Sequence, residues 1–528
     1  MTSAGESDTT FSITGGVGSI RYTMGEISAA GLKLARLAEQ LEPLVDRLRS
    51  EWEWLCTATQ QGAPGYPYGG LNYGAVDAVR AALWSCMRVQ GDTAELARQT
   101  SNAARNYDEA EAHNAAVVAK TAQLQALGSG YQTWIWGPLA PVKLWVDAWH
   151  SWRGAKEQGL RDSTEKLLNN GPAYGAAALG PGIGSFYLLT HLGLVNTANR
   201  GVGAGAFVRG TFDWAGLAKP GRLAVQAIPR DQWYAPALPW QPDRAVAEPA
   251  EGVPGKVEST IKGLLEGSKA AYGYPPGSIG VDRVDRPDGS RVWIVNLPGT
   301  EVWNKVDSEN PWDLEGDLEG MTAAQKEMFA QQHIVIQELM KAALHAVGAL
   351  ANEEVVITGH SGGGIHAVAA AADPAFLAKV NVKMLIIAGA PAKNLHVAPS
   401  IQVLGLENEH DIVTAADFGP APDLPNWVSV TSHRPGATEG NDPVAIIREA
   451  HDLDNYLNDA KAVENSDDPA IRGIIQRVNE LLVPAFHGAP VKVHKFVFQG
   501  RDVNTPVPAR AVPPARKRPA NKEAREWR

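Results

Sequence analysis

The chain has 528 residues and 44% hydrophobic residues, enough for roughly two to four domains with at least one large core. A net charge of −10 argues against a general nucleic-acid binder. Two cysteines, Cys56 and Cys86, form neither a disulfide framework nor a zinc signature. Met1 to Thr23 is polar and lacks the basic start and apolar run of a Sec signal peptide. The nearest approach to a membrane span, Tyr174 to Val208, is interrupted by Pro181, Asn196, Asn199 and Arg200.

Residues 1–127 read as a helical hairpin. From Gly25 to about Thr59, Leu34, Leu37, Leu41, Leu44, Leu48 and Leu55 recur at helical steps with Trp52 beside them, and Pro43 marks a kink or restart. A Gly/Pro/Tyr turn, Gln61 to Tyr73, leads into a second helix from about Gly74 to Lys120, with Val76, Val79, Leu83 and Cys86 on one face. An apolar stripe on such a hairpin calls for a partner, another domain or another chain.

Residues 128–255 are less informative. Trp134, Trp136, Trp145, Trp149 and Trp152 recur near helical spacing and read as packing residues rather than a membrane belt or sugar platform. A Gly/Ala-rich stretch follows, Gly171 to Gly216, whose small residues would permit close helix packing or membrane-surface contact. Pro229 to Pro254 reads as a linker.

Residues 256–500 alternate strands and helices, which predicts an α/β domain with a mostly parallel sheet covered on both faces. A helix is expected at Leu264 to Ala271 and strands at Val292 to Leu297, Val355 to Thr358, Val382 to Ala388, Ile401 to Leu406, Trp427 to Thr431 and Val491 to Phe498. Further helices are expected at Thr322 to Leu350, Ile365 to Ala372, Pro443 to Asp459 and Pro469 to Leu482. The basic, Pro/Ala-rich remainder, 501–528, reads as a disordered tail.

Between a buried strand and a small-residue helix lies Gly359-His360-Ser361-Gly362-Gly363. Gly-x-Ser-x-Gly in that setting is the pattern of a nucleophile elbow. A serine hydroxyl needs a base, the base an orienting carboxylate, and the tetrahedral intermediate N–H donors. Asp411 follows the strand Ile401 to Leu406 and is the candidate acid, with Asp417 as the rival. His451, after the strand Trp427 to Thr431, is the candidate base, with His433 as its main competitor; His360 is expected to pack beneath the elbow. The oxyanion donors are expected from Gly362 and Thr300, the latter in Leu297-Pro298-Gly299-Thr300. No metal or cofactor is required.

Gly359-His360-Ser361-Gly362-Gly363 resembles the Gly-His-Ser-x-Gly-Gly of the fungal-type (class 3) lipases over residues 290–460. Pro298-Gly299-Thr300 is similar to their strand ending in Gly-Thr, Asp411-Ile412-Val413 to their acid loop, and His451 with Tyr456 to their late His and Tyr. The resemblance implies an α/β-hydrolase fold and ester hydrolysis by Ser361, His451 and Asp411, with acyl lipids among the substrate classes. An arginine common before Gly-Thr in that family is Pro298 here, and the acidic Val302 to Gly320 segment departs from it and would serve as a lid.

The helical hairpin resembles the WXG-type proteins exported by type VII (ESX) secretion, and Tyr107-Asp108-Glu109-Ala110-Glu111 matches their Tyr-x-x-x-Asp/Glu export signal. Gly65-Tyr66-Pro67 stands where their Trp-x-Gly would be. This resemblance implies export by a non-Sec route, with another hairpin protein or the secretion machinery as partner; a solvated helix face in a cytoplasmic protein is the alternative. Three functions follow: a serine esterase, a type VII-secreted (phospho)lipase effector, or a non-catalytic hairpin protein with a lapsed hydrolase domain.

Overall fold

The computed structural model describes residues 9–16, 20–61, 73–136, 159–178, 221–236, 252–323, 334–393, 395–417, 424–433 and 443–504, with isolated positions between them. The expected turn at Gly65-Tyr66-Pro67, the tryptophans 145, 149 and 152, residues 179–216 of the small-residue stretch and residues 505–528 of the tail lie outside the described residues.

In chain order the elements begin with β1 (Thr10–Gly15), α1 (Ile20–Gln61), α2 (Tyr73–Ile135) and α3 (Leu160–Ala178). Next come β2 (Gly221–Ala227), β3 (Val253–Glu258), α4 (Ile261–Ala271), β4 (Ser278–Asp285) and β5 (Arg291–Leu297). The central part holds α5 (Leu314–Met321), α6 (Val335–Ala346), β6 (Glu354–His360), α7 (Gly362–Ala372), β7 (Asn381–Ala388), β8 (Gln402–Asn408) and β9 (Trp427–His433). The chain closes with α8 (Pro443–Ala450), α9 (Leu453–Val463), α10 (Pro469–Leu482) and β10 (Pro490–Asn504).

α1 and α2 form the expected hairpin. A narrow seam closes it, with Ala38, Val45, Leu83, Ala97 and Ala104 buried. A methyl on Gly31 would sit 2.6 Å from Ser101 Oγ, so the helices touch there. The leucine stripe is wider than the seam: Leu37, Leu44, Val89 and Leu96 stay exposed, as do Trp54 and Trp84. Pro43 lies inside α1 without ending it. Trp134 and Trp136 are each 48% exposed, so these two do not fill a core.

The sheet runs β1-β9-β8-β7-β6-β5-β4-β10-β2, with β3 pairing β10 beside this path. Strands β5 to β9 are parallel. Among the described residues every other pairing between these strands is antiparallel. The expectation of a mostly parallel sheet is therefore corrected: this is a mixed sheet. A buried apolar run has the same composition in either direction, and the direction is set by the connection. Between β4 and β5 that connection is the short turn from Arg286, closed by Gly289 N–H on the Arg286 carbonyl, and it forces an antiparallel pair. The sheet also draws β1 and β2, half of β3 and the last four residues of β10 from outside residues 256–500.

Alternation divides the core into two layers. Trp293, Val295 and Leu297 of β5, with Val355 and Ile357 of β6, pack under α6 and α7. Val292, Ile294 and Val356 pack on the other face with α4, α9 and α10. A central strand covered on both sides can carry apolar residues at every position, which is why β5 and β6 show no period. The expected single helix from Pro443 to Asp459 is two, α8 and α9. Asp452 breaks it, its carboxylate accepting from Asp454 N–H as the cap of α9. Of the expected helix Thr322 to Leu350, Val335–Ala346 is helical and residues 324–333 lie outside the described residues.

Candidate active site

Ser361 links β6 to α7 with φ 52° and ψ −123°, a conformation that a side chain disfavours. Neighbouring backbone locks it: Ser361 N–H donates to the Ala388 carbonyl at 2.9 Å, and its own carbonyl accepts from Gly364 and Ile365. The turn closes only because the flanking residues lack Cβ. A methyl on Gly359 would lie 2.5 Å from the Gly363 carbonyl carbon, and one on Gly363 would lie 2.1 Å from the Pro298 carbonyl oxygen.

Three side chains meet here, Ser361 from the end of β6, Asp411 from the loop after β8 and His451 from the end of α8. His451 Nε2 lies 3.0 Å from Ser361 Oγ, and His451 Nδ1 lies 2.8 Å from Asp411 Oδ2. Asp411 is wholly buried and is held by Val413 N–H on Oδ1 and Tyr456 O–H on Oδ2, at 2.9 and 2.6 Å. With Asp411 accepting from Nδ1–H, Nε2 is left to accept from the serine hydroxyl. The arrangement can take a proton from Oγ and hold the resulting imidazolium against a carboxylate.

The rival residues do other things. Asp417 accepts from Lys393 N–H at 2.8 Å, and its Oδ1 lies 3.6 Å from Lys393 Nζ. Both ring nitrogens of His433 are engaged, by Glu409 Oε2 at 2.9 Å and Ser12 Oγ at 2.7 Å. His360 lies under the elbow as expected. Its Nε2–H donates to the His451 carbonyl at 3.0 Å, so its Nδ1 accepts from Tyr272 O–H at 2.7 Å. Burial drives the His360 pKa down to about 3, and it stays neutral.

Thr300 and Gly362 adjoin: a methyl on Gly362 would sit 3.0 Å from Thr300 Oγ1. Gly362 opens α7, where helix geometry leaves its N–H without an intrahelical acceptor. Thr300 Oγ1–H donates to Asp317 Oδ2 at 2.7 Å, so its hydroxyl proton is engaged there and its N–H is the donor it can offer an oxyanion. Asp317 is half-buried beside Thr300, and desolvation raises its pKa to about 7. Asp317 and Tyr272 are site residues that sequence reasoning missed. The acidic character of 302–320 was visible, but nothing in it singled out Asp317. Tyr272 carries no motif. Among the described residues no group of His, Cys, Asp and Glu could hold a metal ion, and no helix is long and apolar enough to cross a membrane.

No protein-family model matches the chain, and comparison with curated proteins and with solved structures returned no match.

Proposed function

We propose that this chain is a serine hydrolase of carboxylic esters, with acyl lipids among its substrates, on a core of the α/β-hydrolase type similar to that of the fungal-type lipases. One observation carries the reading: a single imidazole spans 3.0 Å to a strained serine and 2.8 Å to a buried carboxylate. Ser361 Oγ attacks the ester carbonyl while His451 Nε2 takes its proton. Asp411 keeps His451 in the required tautomer and offsets its charge. The N–H groups of Gly362 and Thr300 bind the oxyanion. His451 returns the proton to the leaving alcohol, and water then releases the acid from the acyl-enzyme by the same route. The test is a chain-length series of nitrophenyl esters. Turnover is expected to fall by about 10⁴-fold or more in Ser361→Ala. Equal turnover in wild type and variant refutes the assignment.

The exposed Leu37, Leu44, Val89 and Leu96 favour a second reading beside the first, in which the hairpin meets another helical surface during export. On this reading Tyr107→Ala retains the protein inside the producing cell. Undiminished appearance in the medium contradicts it.

A further inference from the structure

The first turn of α3 lies far from the elbow in sequence, yet it touches both segments that carry the acid and the base. Leu160 is 3% exposed and packs in one apolar cluster with Ile412, the neighbour of Asp411, and with Ile446 and Ile447 of α8. α8 leads directly into His451, whose N–H donates to the Ile447 carbonyl at 3.1 Å. Leu160 N–H donates to His410 Nδ1 at 3.3 Å, and Arg161 N–H to the Glu409 carbonyl at 2.8 Å, so the loop before Asp411 is pinned by backbone as well. Gly159 makes this approach with φ +97°; a methyl there would sit 3.0 Å from the same Glu409 oxygen.

Charge fixes the contact further. Arg161 is 8% exposed, and its Nη2 lies 2.8 Å from Glu407 Oε2, near the end of β8. Lys393 Nζ stands 3.4 Å from the other Glu407 oxygen. A guanidinium is costly to bury without a partner, and removing it leaves Glu407 with half its compensation. The arrangement therefore holds one register of α3 on the acid loop. At its other end α3 is packed on α2, with Thr133 Oγ1 2.6 Å from Tyr174 Oη.

We infer that Leu160 and Arg161 are positioning residues for the acid–base pair. They wedge the Asp411 loop and the end of α8 that leads into His451 at the separation that gives the 2.8 Å contact between the two side chains. The inference rests on the triad reading above. It makes the helical region part of the support for catalysis rather than an appendage to it.

The full-length chain provides the test, with Leu160→Ala, Arg161→Met and Arg161→Lys. Steady-state hydrolysis of nitrophenyl butyrate is read beside the low-field proton resonance of His451 Nδ1–H, assigned by its loss in Asp411→Asn. Leu160→Ala and Arg161→Met are expected to lower kcat by about 10- to 100-fold, leave KM within about twofold and shift or broaden the resonance, since displacements of about 1 Å have effects of that size. Arg161→Lys is expected to recover most of the loss. If Arg161→Met fails to fold, Leu160→Ala, which leaves no charge unpaired, gives the same reading. Folded variants with wild-type kcat and an unmoved resonance overturn the inference and leave the triad standing. A wild-type chain with neither turnover nor a resonance sensitive to Asp411→Asn overturns the triad and the inference together.

Discussion

Desolvation sets the protonation of the carboxyl that accepts from Thr300. Asp317 is held near pKa 7, against an ordinary value of 3.8, chiefly because desolvation disfavours its charged form; Asp313 pushes the same way, while Thr300 and His451 oppose it. Between about pH 4 and 7 the native state keeps a proton that the unfolded chain has lost. Stability from this group therefore falls as pH rises through that window. Asp317→Asn removes the effect: relative to wild type it is expected to gain stability from pH 4 to 7, by about 4 kcal/mol at most. Urea unfolding at several pH values checks this, and a constant difference between the two proteins contradicts it. His360 and His366 act in the opposite sense. Burial pushes both down to about 3, so the unfolded chain binds protons first and stability is lost as pH falls below about 6.5. Ser361 and Asp411 were legible in the sequence because each follows directly on a strand, and His451 because the hydrolase order places a histidine after them. Tyr272 was not, because its hydroxyl matters only through a histidine 88 residues away.

At the scale of the element, the elbow is where local sequence and global fold agree most closely. Strand, turn and helix were all readable, since glycines at 359 and 363 answer to a steric demand that no side chain meets. Gly359→Ala is accordingly expected to destabilise the protein by about 3 kcal/mol or more, because its Cβ would meet backbone that has nowhere to move. Denaturant unfolding measures the change, and a loss under about 1 kcal/mol refutes the steric argument. Elsewhere periodicity fell short for stated reasons. The helical pattern from Pro443 to Asp459 ran unbroken in sequence, but Asp452 caps a new helix and leaves His451 at the junction, where it can turn toward Ser361. β1 and β2 are short edge strands with polar residues between the apolar ones, and only their partners β9 and β10 make them strands.

Across the whole molecule, the parallel centre of the mixed sheet decides where the candidate residues meet. β5, β6 and β8 all end on one edge, and the residues that follow them, Thr300, Ser361 and Asp411, converge there; His451 arrives after β9 through α8. Such edges gather loops from several strands around one crevice. The antiparallel flanks, with β1 on one side and β10, β2 and β3 on the other, extend the sheet on either side of that centre. The sequence pattern carried the parallel centre through its buried apolar runs, helped where a helix separates them, as α6 separates β5 from β6 and α7 separates β6 from β7. Of the flanks it carried β10 as a strand but not its direction, and it did not carry β1, β2 or β3, whose pairings join residues hundreds of positions apart, such as Thr10 with His433.

The central claim is that Ser361 is a nucleophile activated by His451 and Asp411. Treating the purified full-length chain with a fluorophosphonate and locating the adduct by mass spectrometry tests it most directly. One adduct on Ser361 is expected, absent from Ser361→Ala and formed at least 100-fold more slowly in His451→Ala. An adduct on another residue, or labelling that survives both substitutions unchanged, would contradict it.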